Sequence, residues 1–457
     1  MTSLFETKLS TDPYIITEKT VKEPPTTFRQ QLKFLGPGFI LSASIVGSGE
    51  LIATTILGAK AGFAALWIII ISCLAKVAVQ LEFGRHAIIT GETAMQAFNK
   101  LPGPRLGKGR WTVWLIFFMT TLKIVQVGGI LGGTVIILNM LYGGFSISTW
   151  SILTAIVVAA LIYNGHYNLV EKASLIMIGM FTILTLTSLF SLRFTPFAFS
   201  LSDVLQGFRF NLSGEIVGIA IGAFGITGVA SDEIIAYNYW CIEKGYASYT
   251  GPRTDTEQWR RRAQGWIGIM YLDAMVAMTI YTIVTIAFYL LGAAILHNRG
   301  DIPQGNQVIE TLALIYTQTL GPGVKTIYLV GGFFVLFSSL YATLAAWTRL
   351  FSDIFGQMGW MNFFDVAKRN KMVAILAWIF PFAWASMYLF IDSPVLMVLS
   401  GGVVGAFMLF IVIFAALHFK YNETQAFKSS ALYDVAFWIS VISIFGVGVY
   451  GITKVFF

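Results

Sequence analysis

The sequence predicts an all-α polytopic membrane protein, built as two inverted halves of five spans with an eleventh span appended. Three observations predict it. Of 457 residues, 56% are hydrophobic and only 12% are charged, against roughly 25% charged in a soluble domain. The apolar residues gather into eleven segments, most of them near or above the ~20 residues that cross a bilayer. A glycine-rich stretch followed at once by a carboxylate occurs twice, in the first span of each half. This composition excludes a disordered chain, a water-soluble enzyme and a small disulfide scaffold.

Residues 1–33 are polar and mixed in charge, with no cleavable leader, and are expected to be mobile as far as about Phe28. The spans read as 34–59, 63–90, 111–141, 148–163, 168–192, 214–243, 264–291, 324–351, 372–390, 393–418 and 433–456. Several exceed 25 residues, which predicts tilt, a break or extension past the lipid. The first half covers 34–192 and is followed by an outer loop, 193–213. The second half covers 214–419, with a basic linker at 245–262 and an outer segment at 292–322; a linker and span 11 fill 420–457. In the outer segment Ile309, Leu312, Ala313 and Tyr316 recur at helical spacing and predict a short interfacial helix.

The loop charges set the topology. Lys8, Lys19, Lys22, Arg29 and Lys33 lie in the tail, and Lys100, Arg105, Lys108 and Arg110 follow span 2. Arg253, Arg260, Arg261 and Arg262 follow span 6, Lys368, Arg369 and Lys371 follow span 8, and Lys420 and Lys428 follow span 10. The alternate loops are poorer: 142–147 has no charge and 391–393 only Asp392. Positive loops stay inside, so the N-terminus is expected in the cytoplasm and, after eleven crossings, the C-terminus outside. The net charge of +7 is therefore topology and not a nucleic-acid surface. Cys73 and Cys241 both fall in apolar segments and read as small buried hydrophobes.

The internal repeat carries the functional argument. Gly47-Ser48-Gly49-Glu50-Leu51-Ile52-Ala53 aligns with Ala230-Ser231-Asp232-Glu233-Ile234-Ile235-Ala236, with four of seven positions identical. Five spans separate the two, so the halves run in opposite senses, as in inverted-repeat secondary transporters. Gly47, Ser48 and Gly49 disfavour continuous helix, as do Gly222, Gly225, Thr227, Gly228 and Ser231 in span 6. Unwound backbone at that depth must line a protected cavity, where freed carbonyls and half-helix ends become ligands. The other reading makes these glycines close-packing positions between helices.

Glu50, Asp232 and Glu233 are the chemistry of the sequence. A carboxylate inside a membrane is costly unless it is paired or solvated. Each is expected at the start of a half-helix, whose amides favour an anion, with Glu50 and Glu233 facing each other across the cavity. Converging carboxylates suit a hard cation such as Mg²⁺, Ca²⁺ or Mn²⁺, and equally protons or an organic ammonium group. Alternatively Glu50 and Glu233 only cap their own half-helices. The expected contact set is Gly47, Ser48, Gly49, Glu50, Ala230, Asp232 and Glu233, with the three carboxylates as metal ligands. Lys123 and Gln126 in span 3 are candidate counter-charge residues. Asp273 in span 7 reads as a proton or cation site, or as one member of a buried pair. Ser338 and Ser339 in span 8 bond their own backbone or join span 1 carbonyls around Na⁺. Glu82 with Arg85, near the cytoplasmic end of span 2, reads as an interfacial pair, and Arg349 with Asp353 as a helix-surface pair. The four histidines show no clustering, and no His-based metal site is expected.

Leu35-Gly36-Pro37-Gly38-Phe39, Gly58-Ala59-Lys60-Ala61-Gly62-Phe63, Leu66-Trp67, Gly84-Arg85 and Thr90-Gly91 resemble the opening of the Nramp divalent metal transporters. The resemblance is good over residues 34–95 and thinner beyond. It implies a leucine-transporter-type fold and a metal site between spans 1 and 6. The family motif Asp-Pro-Gly-Asn in span 1 is replaced here by Gly47-Ser48-Gly49-Glu50, and Met-Pro-His-Asn in span 6 by Ala230-Ser231-Asp232-Glu233. The thioether position is thus Ala230 and the His position Asp232. Span 9 lacks the arginine pair of the family's proton route, and span 3 carries Lys123. Loss of the sulfur ligand favours Mg²⁺ or Mn²⁺ over Fe²⁺.

The function expected is therefore a secondary transporter of a divalent cation by alternating access. A transporter of a small organic cation or amino acid is the alternative, and a non-transporting receptor or scaffold a minor one. No nucleophile–base set or cofactor loop points to an enzyme or a cofactor. The partners implied are a small cation, the lipid bilayer and a co-transported proton or sodium ion; no oligomeric state is read from the sequence.

Overall fold

The computed structural model describes residues 12–163, 167–210, 212–425, 427 and 429–456. Each of the apolar segments carries a helix. Among the described residues eight helices are long and apolar enough to cross a bilayer. They are Leu66–Thr90 (span 2), Trp111–Tyr142 (span 3), Gly214–Glu243 (span 6), Glu257–His297 (span 7), Pro322–Gln357 (span 8), Val366–Ile391 (span 9), Pro394–Glu423 (span 10) and Ala431–Tyr450 (span 11). Span 1 adds a bent pair, Pro37–Ile45 and Gly49–Ala61, at 41°. Spans 4 and 5 are Ile147–Tyr163 and Tyr167–Ser191. The protein is an integral, multi-pass membrane protein.

The ends of these helices follow local chemistry. Pro37 and Pro394 open spans 1 and 10, where the missing N–H costs nothing. Gly91, at φ +70°, closes span 2 by donating to the Ala87 carbonyl in the left-handed conformation that glycine adopts freely. Thr93 and Gln96 form a capping box that starts the next short helix.

The inverted repeat is visible in the packing. Span 2 packs on span 7, span 3 on span 8, and span 4 on span 9, so each lies against its repeat mate. Span 11 lies against span 2 and the first half of span 6. There, Glu82 accepts from Tyr433 Oη (2.7 Å) and Thr424 Oγ1 (2.8 Å) as well as from Arg85 (3.1 Å). The pair expected at an interface is thus buried, and it ties span 2 to the last two spans.

Four expectations are corrected. From Asp12 onward the N-terminal tail is docked against the bundle and not loose as far as Phe28. Asp12 and Tyr14 are buried, with Asp12 on Arg369 (2.8 Å) and the Tyr14 hydroxyl donating to Glu243 (2.6 Å). The Lys22 amide then donates to Tyr249 O (3.0 Å), and the Trp266 indole donates to Lys22 O (3.0 Å). Hydropathy misses this docking because its partners come from distant loops. The basic linker 245–262 is mostly helical: Tyr246–Thr250 is a buried turn, and span 7 begins at Glu257, so Arg260, Arg261 and Arg262 lie in its first turns. The outer helix exists as Val308–Leu320, but Ile309, Leu312, Ala313 and Tyr316 are buried within the protein against spans 5, 7 and 8. Finally, Arg349 does not pair with Asp353. It grips Glu243 of span 6 through Nε and Nη2 (2.5 and 2.9 Å), while Asp353 accepts from Tyr239 (2.7 Å).

Candidate functional site

Spans 1 and 6 are both interrupted at mid-depth, in different ways. Span 6 is helical over Gly214–Ile226, unwinds over 227–230, and resumes over Ser231–Glu243. Gly228 takes φ +64° in that gap, a conformation a side chain resists. Span 1 does not unwind. It passes through a π-helical stretch, Val46–Thr54, whose wider turn is marked by Thr54 and Thr55 hydroxyls donating to Gly49 O and Glu50 O (3.0 and 3.2 Å). Glu50 therefore lies in a π-helical turn that opens the second half of span 1, Gly49–Ala61.

The glycines let the two breaks touch. A methyl group on Gly49 would stand 2.9 Å from the Ile226 carbonyl, and one on Gly47 2.6 Å from the Val335 carbonyl of span 8. Close packing is thus part of their role. Across the contact, Thr54 and Thr227 hydroxyls meet at 2.9 Å.

The freed carbonyls at the end of the first half of span 6 are held from span 2. Lys76, fully buried, donates to Phe224 O and to Thr227 O (2.8 Å), and Ser72 donates to the same two carbonyls (3.0 and 2.7 Å). The sequence reading passed over Lys76. A lysine in the middle of an apolar span was the available signal.

The carboxylates separate into three environments. Glu50 Oε1 accepts from the Gly228 amide (3.2 Å) and lies 2.9 Å from the Thr285 hydroxyl of span 7. Its Oε2 is buried without a partner. Asp232 is ion-paired to Lys123, at the break between the two helices of span 3, and accepts from the Trp347 indole (3.1 Å). Glu233 Oε2 accepts from the Ala230 amide (2.8 Å) and caps its own half-helix.

A cavity of about 30 Å³ lies at this break, enough for a water or a monatomic ion. Its polar wall is Ser44, Gln126, Asp232, Glu233 and Thr343. Gln126 Oε1 points from span 3 with no partner. Glu50 is not in the wall, so Glu50 and Glu233 do not face each other across this cavity; Glu50 instead braces span 1 to the unwound part of span 6. Gly47 and Gly49 are not in the wall either, whereas the Ala230 backbone is. Nothing is said of the Ser48 side chain, which lies outside the described residues.

Two other candidates have other work. Asp273 accepts from the amides of Gly36 (2.8 Å) and Gly38 (2.5 Å), so it caps the start of span 1 from span 7. Ser339 donates to Ser44 O (2.8 Å), a span 1 carbonyl, whereas Ser338 donates to its own backbone at Val335 O (2.9 Å) and stands 3.3 Å from Ala43 O.

Two inverted five-span halves with interrupted first helices around a buried polar cavity define the LeuT-type transporter fold. A manganese transporter of Eremococcus coleocola superposes with a TM-score of 0.65 at 14% identity, over 96% of this chain and 91% of that one. MhsT in complex with L-phenylalanine superposes at 0.58 with 15% identity, over 95% and 100%. Residues 38–454 match the Nramp family, described as natural resistance-associated macrophage protein-like. The chain belongs to the Nramp family. It is also similar to the divalent metal cation transporter MntH of Brucella suis, 24% identical over 288 residues, which cover 61% of this chain and 58% of that protein.

Proposed function

We propose that the protein is a secondary transporter that moves a divalent metal cation by alternating access through the cavity at the breaks of spans 1 and 6. The observation that carries the reading is Gln126 Oε1, a buried amide oxygen without a partner, beside the Glu233 carboxylate in a cavity of ion size. Family membership and the names of its relatives support the same class of cargo. Glu233, Gln126 and the Ala230 backbone are the assigned contacts, with Ser44 and Thr343 completing an oxygen wall. No imidazole or sulfur lines that wall, which favours Mg²⁺ or Mn²⁺ over softer ions.

Asp232 contributes less charge than its position suggests, because Lys123 neutralises it. Glu50 and Lys76 hold the break in shape. Ser338 and Ser339, beside the carbonyls of Ala43 and Ser44, are the place where a coupling sodium ion acts; a proton is the other coupling ion. The loop charges put the N-terminus in the cytoplasm and the C-terminus outside. An organic cation is disfavoured by the size of the cavity.

The test is uptake of Mn²⁺ and Mg²⁺ into liposomes carrying the purified protein, read by indicators trapped inside. The wild type is run beside Glu233→Gln and Gln126→Ala. Uptake in the wild type that Glu233→Gln abolishes and Gln126→Ala weakens is the expected result. No uptake and no calorimetric binding of either metal by the wild type overturns the reading.

A further inference from the structure

Far from the cavity, at the end of span 2, three metal-ligating side chains converge. The ligand atoms of His86, Glu92 and Glu423 all lie within 4.8 Å of one another. His86 Nε2 stands 2.7 Å from Glu423 Oε2, and His418 Nε2 stands 3.8 Å from Glu423 Oε1. Two of the chain's four histidines thus reach one carboxylate, although neither is near the other in sequence.

The site has an arranged interior. The His86 side chain is fully enclosed and stacks on Phe419, with ring centres 4.3 Å apart. The Thr90 hydroxyl donates to the His86 carbonyl (2.7 Å), which leaves its oxygen lone pairs facing His86 Nδ1 at 3.4 Å. Without an ion, His86 Nε2 and Glu423 Oε2 are joined by a hydrogen bond. Glu92 Oε2 is buried and has no partner, while its other oxygen pairs with the exposed Lys100. An imidazole nitrogen and two carboxylates, one with an unpartnered oxygen, thus face one point, where a cation would replace the hydrogen bond. Glu423 ends a π-helical turn, Phe419–Glu423, a distortion that proteins often place at functional sites.

We propose that His86, Glu92 and Glu423 bind a divalent transition-metal cation at the joined ends of spans 2 and 10. The site is separate from the transport cavity and does not depend on the transport reading. Imidazole with carboxylate suits Mn²⁺, Fe²⁺ or Zn²⁺ and discriminates against Mg²⁺ and Ca²⁺. Ligand bonds of about 2.0–2.2 Å put tetrahedral ligand atoms about 3.5 Å apart, so the 2.7 Å His86–Glu423 contact opens by just under an ångström while wider pairs close by about an ångström. Thr90 on the far nitrogen fixes the ring, as outer partners of metal-binding histidines do. The bound ion clamps the end of span 2 to the turn that leads into span 11.

The experiment uses the full-length, metal-stripped protein in detergent with Mn²⁺ alone as the probe. Electron paramagnetic resonance counts the bound ion, and electron spin-echo modulation reports imidazole nitrogen on it. The wild type is expected to bind Mn²⁺ with nitrogen modulation. Glu233→Gln keeps that modulation, and His86→Gln and Glu423→Gln lose it together with one bound ion per chain. Thr90→Val weakens binding about 10-fold with the fold intact, which keeps the test sound if His86→Gln is poorly folded. Wild-type binding without nitrogen modulation, modulation that survives in His86→Gln, or displacement of the ion by equimolar Mg²⁺ overturns the proposal. Loss of uptake in Glu233→Gln with this signal unchanged separates the two sites.

Discussion

Replacing Lys123 by Met tests whether Asp232 is held for structure or offered to the ion. The Lys123 and Asp232 side chains are 1% and 11% exposed, so the pair is a buried one. Removing one partner of such a pair costs about 3–5 kcal/mol, because the other charge is left uncompensated. The Trp347 N–H remains on Asp232 and retains part of the stabilisation, which places the expected loss near the lower figure, ~3 kcal/mol. That corresponds to a factor of about 100 in the folding equilibrium. The double variant Lys123→Met/Asp232→Leu removes both charges and should recover most of the loss. The assay is unfolding in a graded detergent titration, followed by tryptophan fluorescence, for both single variants and the double. Uptake of Mn²⁺ by the double variant is measured alongside. A double variant no more stable than Lys123→Met would refute the pairing argument. Loss of uptake by a well-folded double variant would return Asp232 to the ligand set.

Other substitutions test the supports of the site. Lys76→Met removes a donor from Phe224 O and Thr227 O but leaves Ser72 on both; a loss of about 1–3 kcal/mol is expected in the same titration. Asp273→Ala strips the acceptor from the Gly36 and Gly38 amides and should cost about 1–3 kcal/mol, yet leave the metal dependence of uptake unchanged; a changed ion dependence would restore Asp273 as a coupling site. Glu50→Gln keeps an acceptor for Gly228 and should be tolerated better than Glu50→Ala, by about 1–2 kcal/mol, in the same unfolding experiment. Tyr14→Phe deletes the hydroxyl on Glu243; a loss of about 1–3 kcal/mol is expected in the same titration, and an unchanged midpoint would show that this contact does not hold the tail.

The spans, their pairing into halves and the break in span 6 were legible because each is written locally, as apolar length, as a repeat and as glycine. The site was half legible. Gln126 and Glu233 were named and both line the cavity, and Lys123 was named as a counter-charge and pairs with Asp232. Glu50 stands where the second half of span 1 begins, but it does not line the cavity opposite Glu233, because sequence does not tell which way a π-helical turn aims a side chain. Lys76 was missed because sequence does not tell which carbonyls a buried ammonium will meet. Arg349 was assigned by i, i+4 spacing to Asp353, but a two-point grip on Glu243 from another helix outcompetes that local contact. The meeting of His86 with Glu423 depends on how the ends of spans 2 and 10 come together, which no local pattern records.

The docked N-terminal segment bears on how the protein is made. Asp12 and Tyr14 leave the ribosome before any membrane span, yet their anchors, Glu243 and Arg369, belong to span 6 and to the first turn of span 9. The segment must therefore wait, unpaired, through the insertion of eight spans, and a chain that stalls before Arg369 leaves Asp12 without its partner. The arrival of span 9 is thereby registered in the segment ahead of span 1, which gives cellular quality control a short stretch by which to tell a molecule that lacks that span from one that has it.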